Sequence, residues 1–230
     1  MNGTAIVTGG SGGLGVAVVD ELLAAGWRVV VPWVAEKELS RLPDQPRLDT
    51  VQADLSQAGD VSAVVARASG SPDAPLRAVV NLVGGYGIGG RVHETSVEEF
   101  ESLVRLNLRP LYVTTQAALP ELIAGGGGSV VCVSSRAAVR PFPGAAGYVT
   151  GKAAVIALAD ALATEYKKDG VRVNTILPGV IDTPGNRASQ PEADYSTWVA
   201  PARIARVVRF LVEDGSDVVS GAHIPVYGAS

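Results

Sequence analysis

Cysteine and histidine are almost missing from this chain. Cys132 is its one cysteine, which excludes an internal disulfide, and its place in the apolar run 130–133 reads as a buried, inert thiol. The two histidines, His93 and His223, stand far apart and lack a neighbouring Cys or His-x-x-x-His context, so no metal site is expected. Blocks of like charge are absent and the net charge is −4, which gives no footing for nucleic acid or an anionic membrane surface. No apolar run approaches the roughly 18 residues of a membrane-crossing helix. The first residues pass into a strand signal at Thr4–Thr8 without a basic or apolar leader. A cytoplasmic protein is the default expectation.

What is present is a chain of 230 residues, 47% of them hydrophobic, enough for a full α/β core. Internal repeats and low-complexity linkers are absent, so one domain over 1–230 is expected. The short β-branched run Ala5-Ile6-Val7 ends in Thr8-Gly9-Gly10-Ser11-Gly12-Gly13-Leu14-Gly15. A helical pattern follows, with Val16, Val19, Leu22 and Leu23 at helix spacing and Gly26 as its stop. A second strand begins at Arg28. Between a strand and a helix, such glycines let the backbone turn tightly, admit a pyrophosphate, and leave the helix N-terminus free for an anion.

The end of the second strand is where a dinucleotide fold shows its preference, through an acid for the ribose 2′-hydroxyl or an arginine for a 2′-phosphate. Here the residues are Pro32-Trp33-Val34, then Glu36 and Lys37. The missing acid leans the reading slightly to NADPH over NADH; Lys37 reads either as a phosphate contact or as a solvated loop residue. The third strand, 48–55, ends in Asp54-Leu55. Asp54 either accepts from an adenine amino group or caps the helix expected near 57–67. The fourth strand, 78–83, runs into Gly84-Gly85-Tyr86-Gly87, where glycines bring backbone close to something flat, or else form a plain flexible loop.

A long helix is expected over 96–124, capped by Ser96 with Glu98 and Glu99 in its first turn. Leu103, Leu106, Tyr112 and Val113 mark its apolar positions, and Pro110 predicts a kink with Asn107 as a polar partner nearby. After the apolar run 130–133 come Ser134 and Ser135, a Pro/Gly-rich stretch at 140–144, and an Ala-rich helix from about 147 to Gly170. On that helix Tyr148 and Lys152 lie four residues apart, on one face. An ammonium beside a phenol favours the phenolate, which is expected to lower the tyrosine pKa from about 10. A hydroxyl arriving from the strand end, Ser134 or Ser135, would complete a proton-donating site. Alone this pattern is weak, because most such pairs are ordinary helix-surface neighbours. A sixth strand, 171–177, ends at Pro178-Gly179. The segment 184–201 has prolines, Arg187, Tyr195 and Trp198 without periodicity, and reads as a loop covering a substrate. A final helix over 202–212 and a strand over 223–226 close the chain. Small residues on the two long helices, such as Ala117, Ala118, Ala153, Ala154 and Ala157, suit either a core or an oligomer interface.

In this order the motifs resemble the short-chain dehydrogenase/reductase family over essentially the whole chain. Thr8-Gly9-x-x-x-Gly13-x-Gly15 is similar to its glycine motif, Asp54 to its adenine-site acid, and Asn81-Leu82-Val83-Gly84 to a degraded Asn-Asn-Ala-Gly. Asn107, Ser135, Tyr148 and Lys152 match its catalytic tetrad, and Pro178-Gly179 with Thr183 its nicotinamide-side loop. Ser135, 13 residues before Tyr148, has the family's spacing, and Ser134 does not. The loop at Gly84-Gly85-Tyr86 and the segment from Asp182 to Trp198 look like those of dihydropteridine reductases in the same family. Two features depart from them: no acid follows the second strand, and Ser135 is retained.

The resemblance implies a Rossmann-type, doubly wound sheet of about seven parallel strands with helices on both faces. It implies NAD(P)(H) held by Thr8, Gly9, Ser11, Gly12, Gly13, Leu14, Gly15, Trp33, Asp54, Leu55, Asn81, Val83, Gly84, Tyr148, Lys152, Pro178, Gly179, Ile181 and Thr183. A small carbonyl or alcohol substrate would meet Gly85, Tyr86, Arg187, Tyr195 and Trp198. Tyr148 would move the proton, Lys152 would lower its pKa, Ser135 would hold the substrate oxygen, and Asn107 would keep a water beside Lys152. A homotetramer or homodimer is also implied. The class outside catalysis is a nucleotide-sensing protein of the same fold.

Overall fold

A computed structural model describes residues 3–228. Seven strands form one sheet: β1 (Thr4–Thr8), β2 (Arg28–Trp33), β3 (Leu48–Gln52), β4 (Leu76–Asn81), β5 (Gly128–Val133), β6 (Val171–Pro178) and β7 (His223–Val226). Their order is β3-β2-β1-β4-β5-β6-β7, and every pairing is parallel. Successive strands step outward from β1 in one direction and from β4 in the other. That reversal opens a crevice at the carboxyl ends of β1 and β4, the ligand position of open α/β sheets.

The strands are apolar on both faces, as a sheet covered on both sides requires. Ile6, Val30, Val79, Val130 and Val173 point to one core, together with α2 (Ala58–Ser69), α3 (Val97–Ala124) and α4 (Ala146–Glu165). Their neighbours Ala5, Val7, Val29, Val31, Val80 and Val131 point to the other, under α1 (Gly15–Ala24) and α6 (Pro201–Val212). Fully buried side chains such as Leu22, Leu122 and Leu211 each stabilise the fold by about 1.5–3 kcal/mol. The edges of the sheet are β3 and the short β7.

Local chemistry sets the helix ends. Ser96 accepts from the Glu99 N–H at 3.1 Å, as its residue type predicts. The Ala-rich helix stops at Glu165, a 3-10 turn follows at Lys167–Asp169, and Gly170 takes the left-handed φ of +74° that ends it. The helix α3 runs as one element through Pro110 and Pro120. Two of its expected core residues face outward, Leu106 and Tyr112, because the inward stripe is Asn107, Leu111, Thr114, Thr115 and Ala118 instead.

Two further expectations change. The segment 184–201 is partly ordered into α5 (Pro184–Ser189) and a 3-10 turn at Tyr195–Thr197; Pro184 opens α5 and Thr183 caps it through the Asn186 N–H at 3.2 Å. And α4 is long and apolar enough, by length and composition, to cross a membrane, with mean hydropathy 1.3 over 18 residues. Alanine supplies that hydropathy without the run of large apolar residues that a scan of the sequence seeks. Against the rest of the chain, α4 packs on α3 and β6.

Candidate active site

At the crevice lies a cavity of about 620 Å³, floored by the ends of β4, β5 and β6 and walled by the start of α4 and by α5. Leu14, Gly84, Gly85, Tyr86, Ser135, Tyr148, Lys152, Pro178, Gly179 and Ile181, all expected at the site, line it. Ser135 and Tyr148 come from different elements, and the Ser135 hydroxyl lies close enough to the phenol to hold its pKa down. Ser135 also accepts from the Ala137 N–H at 3.1 Å, which caps the 3-10 turn Arg136–Ala138 and holds the serine in place. The neighbouring Ser134 is occupied: its hydroxyl donates to the Lys152 carbonyl at 2.7 Å and pins α4 to the end of β5.

Lys152 is 6% exposed and donates to the Val133 carbonyl at 3.0 Å. Burial penalises its charge and brings its pKa down to about 8. The expected lowering of the Tyr148 pKa is not what the structure gives. Burial raises it, the Ser135 hydroxyl opposes that rise, and the facing Tyr86 adds to it. Tyr86 meets Tyr148 edge-on, with ring centroids 5.2 Å apart. The lysine does not offset burial because its ammonium is turned to the Val133 carbonyl.

Asn107, buried within α3, has a definite task. Its amide accepts from the Gly85 N–H at 3.1 Å and donates to the Gly85 carbonyl at 2.9 Å, so it grips both backbone groups of one glycine. Its Nδ2 also reaches the Leu103 carbonyl at 2.9 Å, one turn back along α3. A Cβ on Gly84 would sit 2.7 Å from Asn107 Oδ1 and 2.8 Å from Lys152 Nζ, so only glycine fits between them.

The glycine loop after β1 fits a dinucleotide. A Cβ on Gly15 would lie 2.0 Å from the Gly9 carbonyl, the close helix–strand approach the motif needs. The helix α1 begins without a side-chain cap and without an acid in its first turn, whereas α3 has both. Of its first N–H groups, that of Val16 donates to the Gly12 carbonyl at 3.1 Å, and no side chain caps the others, an arrangement that suits an anion. Thr8 Oγ1 accepts from the Leu82 N–H at 3.1 Å and the Val83 N–H at 3.4 Å, tying β1 to the loop after β4. Asn81 donates to Thr115 at 3.1 Å and keeps a buried Oδ1 with no partner. Leu55 is a core side chain. Asp54 does not cap α2, whose N-cap is Gln57; it closes a turn by accepting from the Ser56 N–H at 2.8 Å.

An acid missed in the sequence lies near the loop. The 3-10 segment Glu36–Arg41 after β2, whose last residue is Trp33, folds back so that Glu38 accepts from the Ser11 hydroxyl at 3.0 Å. Arg41 donates to the Ser11 carbonyl at 3.3 Å and stands 3.8 Å from Glu38. Lys37 makes no such approach; its carbonyl accepts from Ser40. Only the backward fold of the segment reveals Glu38, five residues beyond the strand end.

Three expected substrate residues do not line the cavity. Arg187 forms a two-pronged ion pair with Asp182, at 2.5 and 2.8 Å, and lies 4.6 Å over the Tyr195 ring. Tyr195 stacks near Trp198, with centroids 4.6 Å apart, and donates to the Pro191 carbonyl at 3.0 Å. These groups satisfy one another and hold the covering segment together. From that segment Asn186 and Gln190 face the cavity, and from the stretch after Ser135 so do Arg136, Ala137, Arg140 and Phe142. Thr183 reaches across to the glycine loop, where a Cβ on Gly13 would lie 2.7 Å from Thr183 Cγ2. Among the described residues, no group of three or more His, Cys, Asp or Glu could hold a metal ion. Burial pushes the Cys132 thiol up to about 12.

Comparison with known proteins agrees with this architecture. A family model described as short chain dehydrogenase matches residues 3–194. The 2-(R)-hydroxypropyl-CoM dehydrogenase of Xanthobacter autotrophicus is 32% identical, over 100% of this chain and 98% of that protein. The 4-formylbenzenesulfonate dehydrogenase of Comamonas testosteroni is 32% identical over 97% and 96%. Among solved structures, a short-chain type dehydrogenase/reductase from Mycobacterium ulcerans superposes with a TM-score of 0.91 at 28% identity, covering 99% of this chain and 89% of that one. The chain belongs to the short-chain dehydrogenase/reductase family, and it is an NAD(P)-dependent oxidoreductase of alcohol and carbonyl groups.

Proposed function

We propose that this cavity carries out reversible hydride transfer at a small alcohol or carbonyl compound, with Tyr148 moving the proton. The observation that carries the reading is the Ser135–Tyr148 hydroxyl pair at the cavity wall, backed by Lys152. The nicotinamide, when bound, supplies the hydride. Tyr148 donates its proton to the oxygen that becomes an alkoxide in reduction and takes it back in oxidation. A phenol held protonated by burial suits the donor role. Ser135 offers the substrate oxygen a fixed hydrogen bond where negative charge develops. Lys152 would turn to a ribose hydroxyl when the coenzyme is bound, and Asn107 keeps Gly85 and the loop before Tyr86 in place. Of the residues expected at the coenzyme, the glycine loop with α1 would hold the pyrophosphate, while Asp54 and Trp33 would border the adenosine. Pro178, Gly179 and Ile181 border the nicotinamide, and the segment 184–201 covers the substrate within a single domain, 1–230.

The direct test follows nicotinamide absorbance against a panel of aldehydes, ketones and alcohols. Tyr148→Phe should lower turnover by about 10²–10⁴-fold while leaving the coenzyme dissociation constant within a few-fold. Undiminished turnover in that variant rejects the assignment. Coenzyme bound without oxidation of any panel member by the parent chain favours the sensor class. Pterin reduction loses support, since Arg187, Tyr195 and Trp198 serve the covering segment; quinonoid dihydropterin added to the panel checks it.

For the coenzyme, Glu38 weighs against the lean to NADPH drawn from Pro32-Trp33-Val34, with Arg41, 3.8 Å from it, the cation that a 2′-phosphate would need. A carboxylate bonded to Ser11 repels a 2′-phosphate and can accept from a 2′-hydroxyl, which favours NAD(H). In a thermal-shift series NAD(H) should stabilise more than NADP(H), and Glu38→Gln should narrow the gap.

A cytoplasmic homo-oligomer completes the reading. Its support is a groove of about 250 Å³ on the outer face of α3 and α4, where Tyr112, Leu119, Leu158 and Tyr166 meet. Sedimentation velocity of the intact chain checks it.

A further inference from the structure

The cavity wall after β5 is cationic. Arg136 directly follows Ser135, and its guanidinium lies 5.1 Å over the Tyr227 ring, which fixes its plane. Arg140 follows one turn later, its N–H donating to the Arg136 carbonyl at 2.9 Å. Both line the cavity that holds Ser135 and Tyr148. None of the described lining residues is acidic, although the chain as a whole carries a net charge of −4. The exposed Arg140 makes no ion pair with any described residue, in contrast with Arg187, whose charge Asp182 takes up outside the cavity. Tyr86, Phe142 and Val180 give the same space an apolar wall.

We propose that the substrate is an anionic alcohol or carbonyl compound, with a carboxylate or sulfonate on an apolar body, and that Arg140, beside Arg136, holds the anionic end. The proposal deepens the reading of this cavity as the substrate site and rests on it. A guanidinium presents a planar fork of N–H donors that matches carboxylate and sulfonate oxygens two at a time. The fork of Arg140, on a wall with no carboxylate among the described lining residues, selects for negative charge, and Arg136 adds positive charge beside it. The hydroxyls of Ser135 and Tyr148 are left to the reacting oxygen. The arginines act on binding and orientation and take no part in bond making.

The test compares 4-formylbenzoate with 4-formylbenzamide, which share size and reacting group and differ in charge. Binding is measured with NADH present on the Tyr148→Phe chain, where no turnover intervenes. The benzoate should bind about tenfold more tightly, and the difference should shrink with added salt. Arg140→Gln and Arg136→Gln should each bring the two dissociation constants toward equality, while Arg140→Lys keeps part of the preference. Circular dichroism confirms that each variant is folded, and Arg140, being exposed, carries the test even where Arg136→Gln does not fold. Equal binding of both probes to the Arg136/Arg140-intact chain, binding of neither at millimolar concentration, or an unchanged preference in Arg140→Gln overturns the proposal. Turnover by the wild-type chain separates the two readings. Reduction of both aldehydes at equal kcat/KM overturns the anion site alone, and preferential binding of the benzoate without reduction of either overturns the hydride chemistry alone.

Discussion

The wall of the cavity and its cover hold their cations in opposite ways, Lys152 on a backbone carbonyl and Arg187 on the Asp182 carboxylate. On the wall, Ser135, Lys152 and Asn107 are each anchored by backbone: Ser135 to the Ala137 N–H, Lys152 to the Val133 carbonyl, and Asn107 to Gly85. Backbone partners leave Ser135 and Tyr148 facing the space between the strands. In the cover, side chains engage one another, Arg187 with Asp182 and Tyr195, and Tyr195 with Trp198. The difference separates residues fit for chemistry from residues fit for holding a shape. Charged and aromatic residues in a covering loop invite a substrate reading, and here they are partners of each other.

The sharpest break of that comparison is Ser135 against Arg187. Ser135→Ala should lower kcat by about 10²–10³-fold, the loss of a group that binds developing charge. Arg187→Gln should leave kcat within a few-fold and raise KM, because it loosens the cover without touching the reacting atoms. A collapse of kcat in Arg187→Gln would return that residue to the site.

A second test uses the buried lysine. With its folded pKa at about 8 against 10.5 unfolded, the unfolded chain binds more protons between those values. Stability from this group is therefore full above the unfolded pKa and is lost as pH falls through the folded one. Tyr148 has a raised pKa and adds an opposing trend only above about 10, where the unfolded phenol ionises first. Cys132, held at about 12 against about 9 unfolded, opposes the lysine by about 0.8 kcal/mol as pH approaches 9.5, so urea unfolding of the coenzyme-free chain should show a net gain of about 1 kcal/mol between pH 7.5 and 9.5. Lys152→Met should turn that gain into a loss; a slope unchanged in that variant assigns the trend elsewhere.

Smaller again is the effect expected from Tyr195→Phe. It removes the single hydroxyl donor that lies within reach of the Arg187, Gln190 and Pro191 carbonyls in an exposed segment. Faster proteolysis within 184–201, read by mass spectrometry, should accompany a change in turnover of less than about threefold.

Legibility in the sequence followed the range of each interaction. Strand ends, the glycine loop, the Ser96 cap and the Tyr148/Lys152 face were readable because period and residue type act locally. The order of strands follows from the family pattern once the motifs are in place. Interactions between distant segments were not readable. Glu38 reaches Ser11 only because the 3-10 segment after β2 folds back. The sign of the Tyr148 shift depends on where the ammonium of Lys152 points, and four-residue spacing does not specify that. Asn186 and Gln190 face inward because Thr183 starts a short helix that the aperiodic segment gave no reason to expect.

The contact between Thr183 and Gly13 ties the first loop of the chain to the hinge of its cover. Variation at the two positions is consequently coupled. An alanine at Gly13 would press on Cγ2 and Cβ of Thr183, at 2.7 and 2.9 Å, although the loop itself is open to solvent. In a selection for activity, a Gly13→Ala lesion should be partly suppressed by Thr183→Ser, which removes the methyl and keeps the hydroxyl that caps α5. Positions far apart in the chain thus form a genetic pair, and the selection reads their coupling as growth of the double variant above that of Gly13→Ala alone.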